Sequence, residues 1–264
     1  MPVCREINCP AGGLNHHSPG MTPQQKETIL KTLREGSLSL RGEFMWGSNY
    51  TFLVQVTHPE GELQAVYKPT RGVRPLWDFA SPSLARREAA AYLVSEILGW
   101  ELVPPTIYRR NGPLGAGSLQ LYIEHDPEYH YFNFSDADKQ RLRPTALFDL
   151  LINNADRKGS HILLDPEKHI WLIDHGISFH TEPKLRTVVW DFAGEPIPPE
   201  LCRDLTLFIE KLSSGSDSEP VASLSACLSS AEIQALIHRA ERLVAAGRYP
   251  NPDPERRPYP WPPV

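Results

Sequence analysis

The sequence predicts an α+β fold in two lobes, a five-stranded antiparallel sheet carrying one helix, followed by a mostly helical half. Two observations carry this. From Ser37 to Glu124 the apolar period is mainly two and turn signals recur, with one long helix-period run, Leu84 to Leu98, set among them. Beyond His125-Asp126-Pro127 the period becomes helical, interrupted by two short apolar runs, Ile162 to Leu164 and Ile170 to Ile173.

Residues 1–21 carry Gly, Pro, Asn and His without periodicity and are expected to be a disordered tail. Cys4 and Cys9, with His16 and His17 beyond, are spaced too loosely for a zinc site, so they are assigned to that tail. Thr22-Pro23 is an N-cap with proline at the first helical position, and Ile29, Leu30 and Leu33 make the stripe of a helix that stops before Gly36. Strand runs follow over Ser37 to Trp46, Tyr50 to Thr57 and Glu62 to Tyr67, an antiparallel meander. The Leu84 to Leu98 helix has Ser83 to cap its start and Gly99 its end. Thr106 to Arg110 and Ser118 to Glu124 complete the sheet. Helices are expected over Asp136 to Arg141, Pro144 to Asn153, Pro199 to Leu212 and Ser230 to Ala246, the last with a capping box in Ser229 and Glu232. Ser213 to Pro220 reads as a linker, and the seven prolines of the last fifteen residues as an extended strap. The expected divisions are therefore 1–21, a first lobe 22–124, a second lobe 125–249 and a tail 250–264.

Composition narrows the function. The chain of 264 residues is 41% apolar and 22% charged, as expected of a soluble globular protein. A net charge of -5 argues against a general nucleic-acid binder. The chain has neither an apolar run of membrane-spanning length nor a signal-peptide pattern, so the cytoplasm is the expected location. Four scattered cysteines agree, Cys202 and Cys227 being placed on apolar helix faces.

The chemistry concentrates between Asn153 and Gly176. An apolar helix runs into the polar loop Asn153-Asn154-Ala155-Asp156-Arg157-Lys158-Gly159-Ser160-His161, and the two short apolar runs flank the turn Asp165-Pro166-Glu167-Lys168 before Asp174-His175-Gly176. If the runs pair as a hairpin, Asp156 and Asp174 meet at its mouth. Two carboxylates there call for a divalent metal with a phosphate ester between them. A small sheet with a helix, a connecting strand, then a helical half with such a hairpin is the order of parts in a protein-kinase-like phosphotransferase. In that order Lys68 ends the third strand, where an ammonium reaches the α- and β-phosphates of ATP. Glu88 is the carboxylate to hold it, and Gly47-Ser48-Asn49 the turn whose amides cover the phosphates.

With these residues the chain resembles the phosphatidylinositol 3- and 4-kinase superfamily, most closely the type II phosphatidylinositol 4-kinases, and more distantly HipA-like and secretory-pathway kinases. The resemblance rests on Lys68-Pro69, Arg87 to Leu93 through Val103-Pro104-Pro105-Thr106, Ser118 to Glu124, Asn153 to Arg157 and Ile173-Asp174-His175-Gly176. It implies a bilobal protein-kinase-like fold in which Asp156 accepts the proton of the attacking hydroxyl. Asp174 binds Mg²⁺ on the ATP phosphates, and Leu121 and Ile123 offer backbone groups to adenine. One position departs from the pattern: His161 stands where these kinases place a metal-binding Asn, a change that suits Mn²⁺, a single bound metal, or lost turnover. The cysteine-rich lipidated segment of the type II enzymes is missing, and Lys184 and Arg186 read as solvated bases or as contacts to an anionic acceptor. Arg157 is expected to pair with a carboxylate and His175 to order the metal loop. Trp77, Trp171 and Trp190 are expected to pack, with Trp190-Asp191-Phe192 an alternative acceptor wall. The expected function is transfer of the γ-phosphate of ATP, with Mg²⁺ or Mn²⁺, to a hydroxyl on a small molecule or protein. The alternatives are a pseudokinase serving as a nucleotide-binding interaction module, and an AMP transferase.

Overall fold

A computed structural model describes residues 21–43, 50–71, 83–215 and 218–264. The Gly47-Ser48-Asn49 turn, the Cys4/Cys9/His16/His17 group and Trp77 lie outside the described residues.

Helix α1 (Pro23–Glu35) begins with a reciprocal cap: the Gln25 amide donates to Thr22 Oγ1 at 3.2 Å and the Thr22 amide to Gln25 Oε1 at 2.8 Å. The chain then enters β1 (Ser37–Glu43), β2 (Phe52–His58) and β3 (Gly61–Pro69), an antiparallel meander as the alternation predicts. Strands β4 (Thr106–Arg109) and β5 (Gly117–Leu121) complete a five-stranded sheet ordered β1-β2-β3-β5-β4. Pairing of β5 with β3 sets Lys68 opposite Ser118 and Val66 opposite Gln120. Val54, Val56, Ala65, Tyr67, Ile107 and Leu119 bury with Leu33 of α1 in a small core. By the two-residue period, Leu53, Val66 and Lys68 therefore face the opposite side.

Helix α2 (Leu84–Leu98) is buried around most of its circumference, because one side meets β4 and β5 and the other meets α5 (Pro199–Ser213) and α6 (Glu219–Cys227). Gly99 ends it at φ 72°, a conformation open to glycine. The expected cap from Ser83 does not form: its hydroxyl accepts instead from Arg87 Nε at 3.2 Å. Arg87 is drawn toward the helical half, and the serine follows it.

The second half contains α3 (Asp136–Gln140), α4 (Arg143–Ile152), the hairpin β6 (Ile162–Leu164) and β7 (Ile170–Leu172), then α5, α6 and α7 (Ser230–Ala246). Helix α6 falls partly in the expected linker. Its Pro220 sits at the helix start, where a missing N–H costs nothing, and Val221 and Leu224 bury inward. The large core joins Ala90 to Leu98, Leu102 and Val103 with the helices of this half, so α2 shares its core with α4 to α7. The residues after Pro250 form neither helix nor strand and turn at Pro254 and Glu255, and no helix among the described residues is long and apolar enough to cross a membrane.

Candidate active site

The site begins with a lysine at the end of a strand. Lys68 Nζ lies 2.6 Å from Glu88 Oε1 and 3.0 Å from Asp174 Oδ1, joining the sheet, α2 and the loop after β7. Burial disfavours its charge, but Asp174 and Glu88 outweigh burial and hold the ammonium above its ordinary range. Glu88 is buried, and its second oxygen accepts the His175 amide at 2.9 Å. One carboxylate thus ties the lysine to the loop that presents Asp174.

The loop carrying Asp156 is built on a buried ion pair. Helix α4 ends at Asn153 with φ 55°, and the Asn153 amide group donates to the carbonyls of His180 and Glu182. Arg157, with no exposed surface, donates through Nε to Asp149 at 3.0 and 3.1 Å. Asn154 and Thr187 give Asp149 two further hydrogen bonds, at 3.1 and 3.0 Å. Burial still pushes the Asp149 carboxyl up against the Arg157 charge. The other arm of Arg157 donates to the Ile173 carbonyl at 2.8 Å and to His175 Nε2 at 2.8 Å. His175 accepts there, so its proton lies on Nδ1, and burial, then the Arg157 charge, keep its pKa well below the usual value. These contacts meet the expectations for Arg157 and His175.

Around this frame Asp156 and Asp174 come to the two sides of His161. The expected hairpin forms, with Ile162 opposite Leu172. His161 Nδ1 lies 3.1 Å from the Asp156 carbonyl oxygen and Nε2 lies 3.3 Å from Asp174 Oδ2. Asp174 holds φ 62°, an uncommon conformation for a residue with a side chain. Burial favours its acid form, but Lys68 and then His161 hold the carboxyl well below the ordinary range. Asp156 goes the other way. Burial, opposed by Lys158 at 3.6 Å and reinforced by Asp174, pushes it up to about 6. Burial brings His161 down to about 4 against Asp174, with Arg157, Lys68 and Lys158 adding to burial, so the ring is neutral near pH 7.

Of the two residues expected to offer backbone groups to adenine, Leu121 has its amide already engaged. The Leu121 amide donates to the Pro105 carbonyl at 2.9 Å, since β5 is an inner strand whose N–H is consumed by the neighbouring chain. The Ile123 carbonyl meets His125 Nδ1 at 2.8 Å, while the Ile123 amide has no partner among the described residues. Leu121 and Ile123 also pack with Leu163, Trp171 and Ile173 in an apolar cluster beneath the connecting strand. Phe192 is not a wall: it is buried between the Arg143 guanidinium and Tyr249, and Asp191 is taken by Tyr131. Sequence reasoning missed Asp149 and Thr187. The signal for Asp149 was a lone acid inside the apolar run Ala146 to Ile152.

Asp174 Oδ2 and His161 Nε2 offer a carboxylate oxygen and an imidazole nitrogen to one point. Among the described residues no group of three His, Cys, Asp or Glu side chains gathers, so a divalent ion there would complete its shell with phosphate and water oxygens. The donor set fits such an ion.

No family model matches the chain. It is 39% identical over 279 aligned positions to protein Rv2133c of Mycobacterium tuberculosis, covering 92% of this chain and 98% of that one. The chain belongs to the Rv2133c family. A second relative, phosphatidylinositol 4-kinase gamma 4 of Oryza sativa, is 29% identical over 137 residues, which is 44% of this chain and 24% of the rice protein. Among solved structures, hydra Fam20 with sugar superposes with a TM-score of 0.54 at 15% identity, covering 85% of this chain and 88% of that one. The Golgi casein kinase with Mn/ADP bound gives 0.53 at 14% identity, over 88% and 81%. The fold of this Rv2133c-family chain is thus protein-kinase-like, and the likeness extends over kinases of several kinds.

Proposed function

We propose that this chain is an ATP-dependent phosphotransferase that moves the γ-phosphate of ATP to a hydroxyl. The observation that supports the reading is Lys68 Nζ at 2.6 Å from Glu88 and 3.0 Å from Asp174, an amine held between α2 and the loop after β7, as a phosphate-binding lysine would be. Lys68 would bind the α- and β-phosphates, with Glu88 holding it in place. Leu53 and Val66 above, with Ile173 and the free Ile123 amide on the connecting-strand side, suit a flat base. Asp156 would accept the proton of the attacking hydroxyl, for which a carboxyl near 6 is well matched at neutral pH. Lys158, close to Asp156, would meet charge on the transferred phosphoryl group.

Asp174 and His161 would hold the divalent ion, whose chemistry is to neutralise phosphate charge. His161 Nδ1 lies against the Asp156 carbonyl and the Lys158 amide while Nε2 faces Asp174, so the backbone would steady the ring as it presented Nε2 to the ion. An imidazole in this place favours Mn²⁺ over Mg²⁺.

The test uses purified protein with labelled ATP and each metal. Asp156→Asn is expected to lower transfer or hydrolysis by about a hundredfold or more while nucleotide affinity stays within about threefold. Asp174→Ala is expected to lose metal-dependent nucleotide binding. His161 also supports a second reading, a nucleotide-binding module without turnover. Thermal stabilisation by ATP with no hydrolysis in either metal would favour it, and a gain of AMP mass on protein would point to nucleotide transfer.

A further inference from the structure

The backbone beside Asp156 is covered by the chain's own C-terminal segment. The Gly159 amide, three residues beyond Asp156, donates to the Pro263 carbonyl at 2.8 Å. Thr187, whose segment bridges to Arg157, donates its amide to the Pro258 carbonyl at 3.0 Å, and Trp190 Nε1 reaches the same oxygen at 3.3 Å. Arg256 adds a bond to the Pro183 carbonyl at 3.0 Å. The Gly159 and Thr187 amides are therefore already spent on the chain's own segment. The covering segment cannot pass the ladder outward, because Pro258, Pro260, Pro262 and Pro263 have no N–H.

What stays open next to Asp156 is positive. Arg186 is clamped on both sides of it: its amide donates to the Asn154 carbonyl at 2.8 Å, and its carbonyl accepts from the Arg157 amide at 2.9 Å. Two such bonds fix the Arg186 backbone in register with the Asp156 loop. The guanidinium is exposed, has no partner among the described residues, and its charge acts on the Asp156 carboxyl. Lys184 is committed elsewhere, its ammonium 3.7 Å from Glu182 and its amide on Asn153 Oδ1 at 2.9 Å.

We infer that the acceptor is a small hydroxyl compound bearing its own phosphate or carboxylate, held by Arg186 with its hydroxyl at Asp156, and that the C-terminal strap keeps polypeptides out. A guanidinium fork on a fixed backbone matches the paired oxygens of such an anion. This rests on the phosphotransferase reading. In the step, the acceptor oxygen forms a bond to the γ-phosphorus, the bond from that phosphorus to the bridging oxygen breaks, ADP leaves with that oxygen, and the hydroxyl proton passes to Asp156.

The full chain, with ATP and Mn²⁺ or Mg²⁺, is offered matched acceptors: glycerol against glycerol 3-phosphate, glucose against glucose 6-phosphate, dephosphorylated casein, and phosphatidylcholine vesicles with and without phosphatidylglycerol. ADP release and product mass are read. An anionic member is expected to exceed its neutral parent in kcat/KM by about tenfold or more, with casein unlabelled, and Arg186→Ala or Arg186→Gln is expected to collapse that ratio by about tenfold, chiefly through KM, with partial return in Arg186→Lys. Preference for glycerol 3-phosphate or for the phosphatidylglycerol vesicles tells a free anion from a lipid headgroup, and either supports the inference. Labelled casein, equal use of neutral and anionic members, no use of any anionic member, or an unchanged ratio in Arg186→Ala overturns it. Failure of the underlying reading shows separately, as absence of ATP hydrolysis by the unmodified protein without acceptor.

Discussion

Two carboxylates separated by eighteen residues of chain are driven in opposite directions by their surroundings. Asp174 stays ionised because the Lys68 ammonium faces it, while Asp156 is pushed up to about 6 chiefly by burial. A base must be unprotonated, so kcat/KM is expected to fall about tenfold per pH unit below about pH 6 and to level off above it. A cation beside Asp174 cancels part of that residue's charge and moves the break to lower pH. A pH–rate profile of ATP hydrolysis in each metal checks both. The same shift makes a stability claim with a definite sign. The acid form is favoured in the folded chain, so this contribution is complete below the unfolded value of 3.8 and is lost as pH rises through about 6. Asp156→Asn is therefore expected to raise Tm at pH 7 and to leave it unchanged near pH 3, measured by thermal unfolding. A stabilised protein without turnover would separate a catalytic carboxylate from a structural one.

At the scale of elements, α2 is fastened to the helical half by two consecutive arginines. Arg86 donates to the Ala226 carbonyl at 3.2 Å, and Arg87, 6% exposed, donates to the Ser178 carbonyl and to Glu232 on α7. Glu232 also closes the cap of α7, its Oε2 accepting the Ser229 amide at 2.8 Å. The helix bearing Glu88 is thus set by the second half of the chain, and the sheet supplies Lys68 to it. Glu232→Ala leaves Arg87 buried without its counter-ion and uncaps α7, a loss of about 3–5 kcal/mol for breaking a buried pair. The expected outcome is a lower Tm together with a raised KM for ATP, because Glu88 follows Arg87. Unchanged nucleotide affinity in a folded Glu232→Ala protein would break that link. The α2 helix was legible in sequence from Ala89, Ala90, Leu93 and Ile97, whereas its fastening was not, since Arg87 and Glu232 are 145 residues apart.

For the molecule as a whole, the division expected near residue 124 does not divide the hydrophobic core. Ala90 to Val103 bury with Leu147, Leu151, Leu205, Leu224 and Leu236, so the helical half is completed by a helix from the first half. A fragment of residues 125–264 expressed alone is expected to bind hydrophobic dye and to unfold without a cooperative transition, while residues 21–264 unfold as one unit. Circular dichroism melts of the two chains decide it.

By itself the sequence determined most of the elements and the order in which they carry their charged residues, because these depend on neighbours along the chain. The two-residue period gives β2 and β3, Thr22 with Pro23 starts α1, Ser229 and Glu232 cap α7, and Asp165-Pro166 turns the hairpin that carries Asp174. Only the tertiary structure decided what each charged group faces. The Asp149–Arg157 pair, the Leu121 amide spent on Pro105, the start of α6 within the end of the expected linker, and the strap across Gly159 and Thr187 all depend on contacts between distant segments. The free energy of a buried charge or a spent N–H is set by what surrounds it in space, and spacing along the polypeptide carries no record of that surrounding.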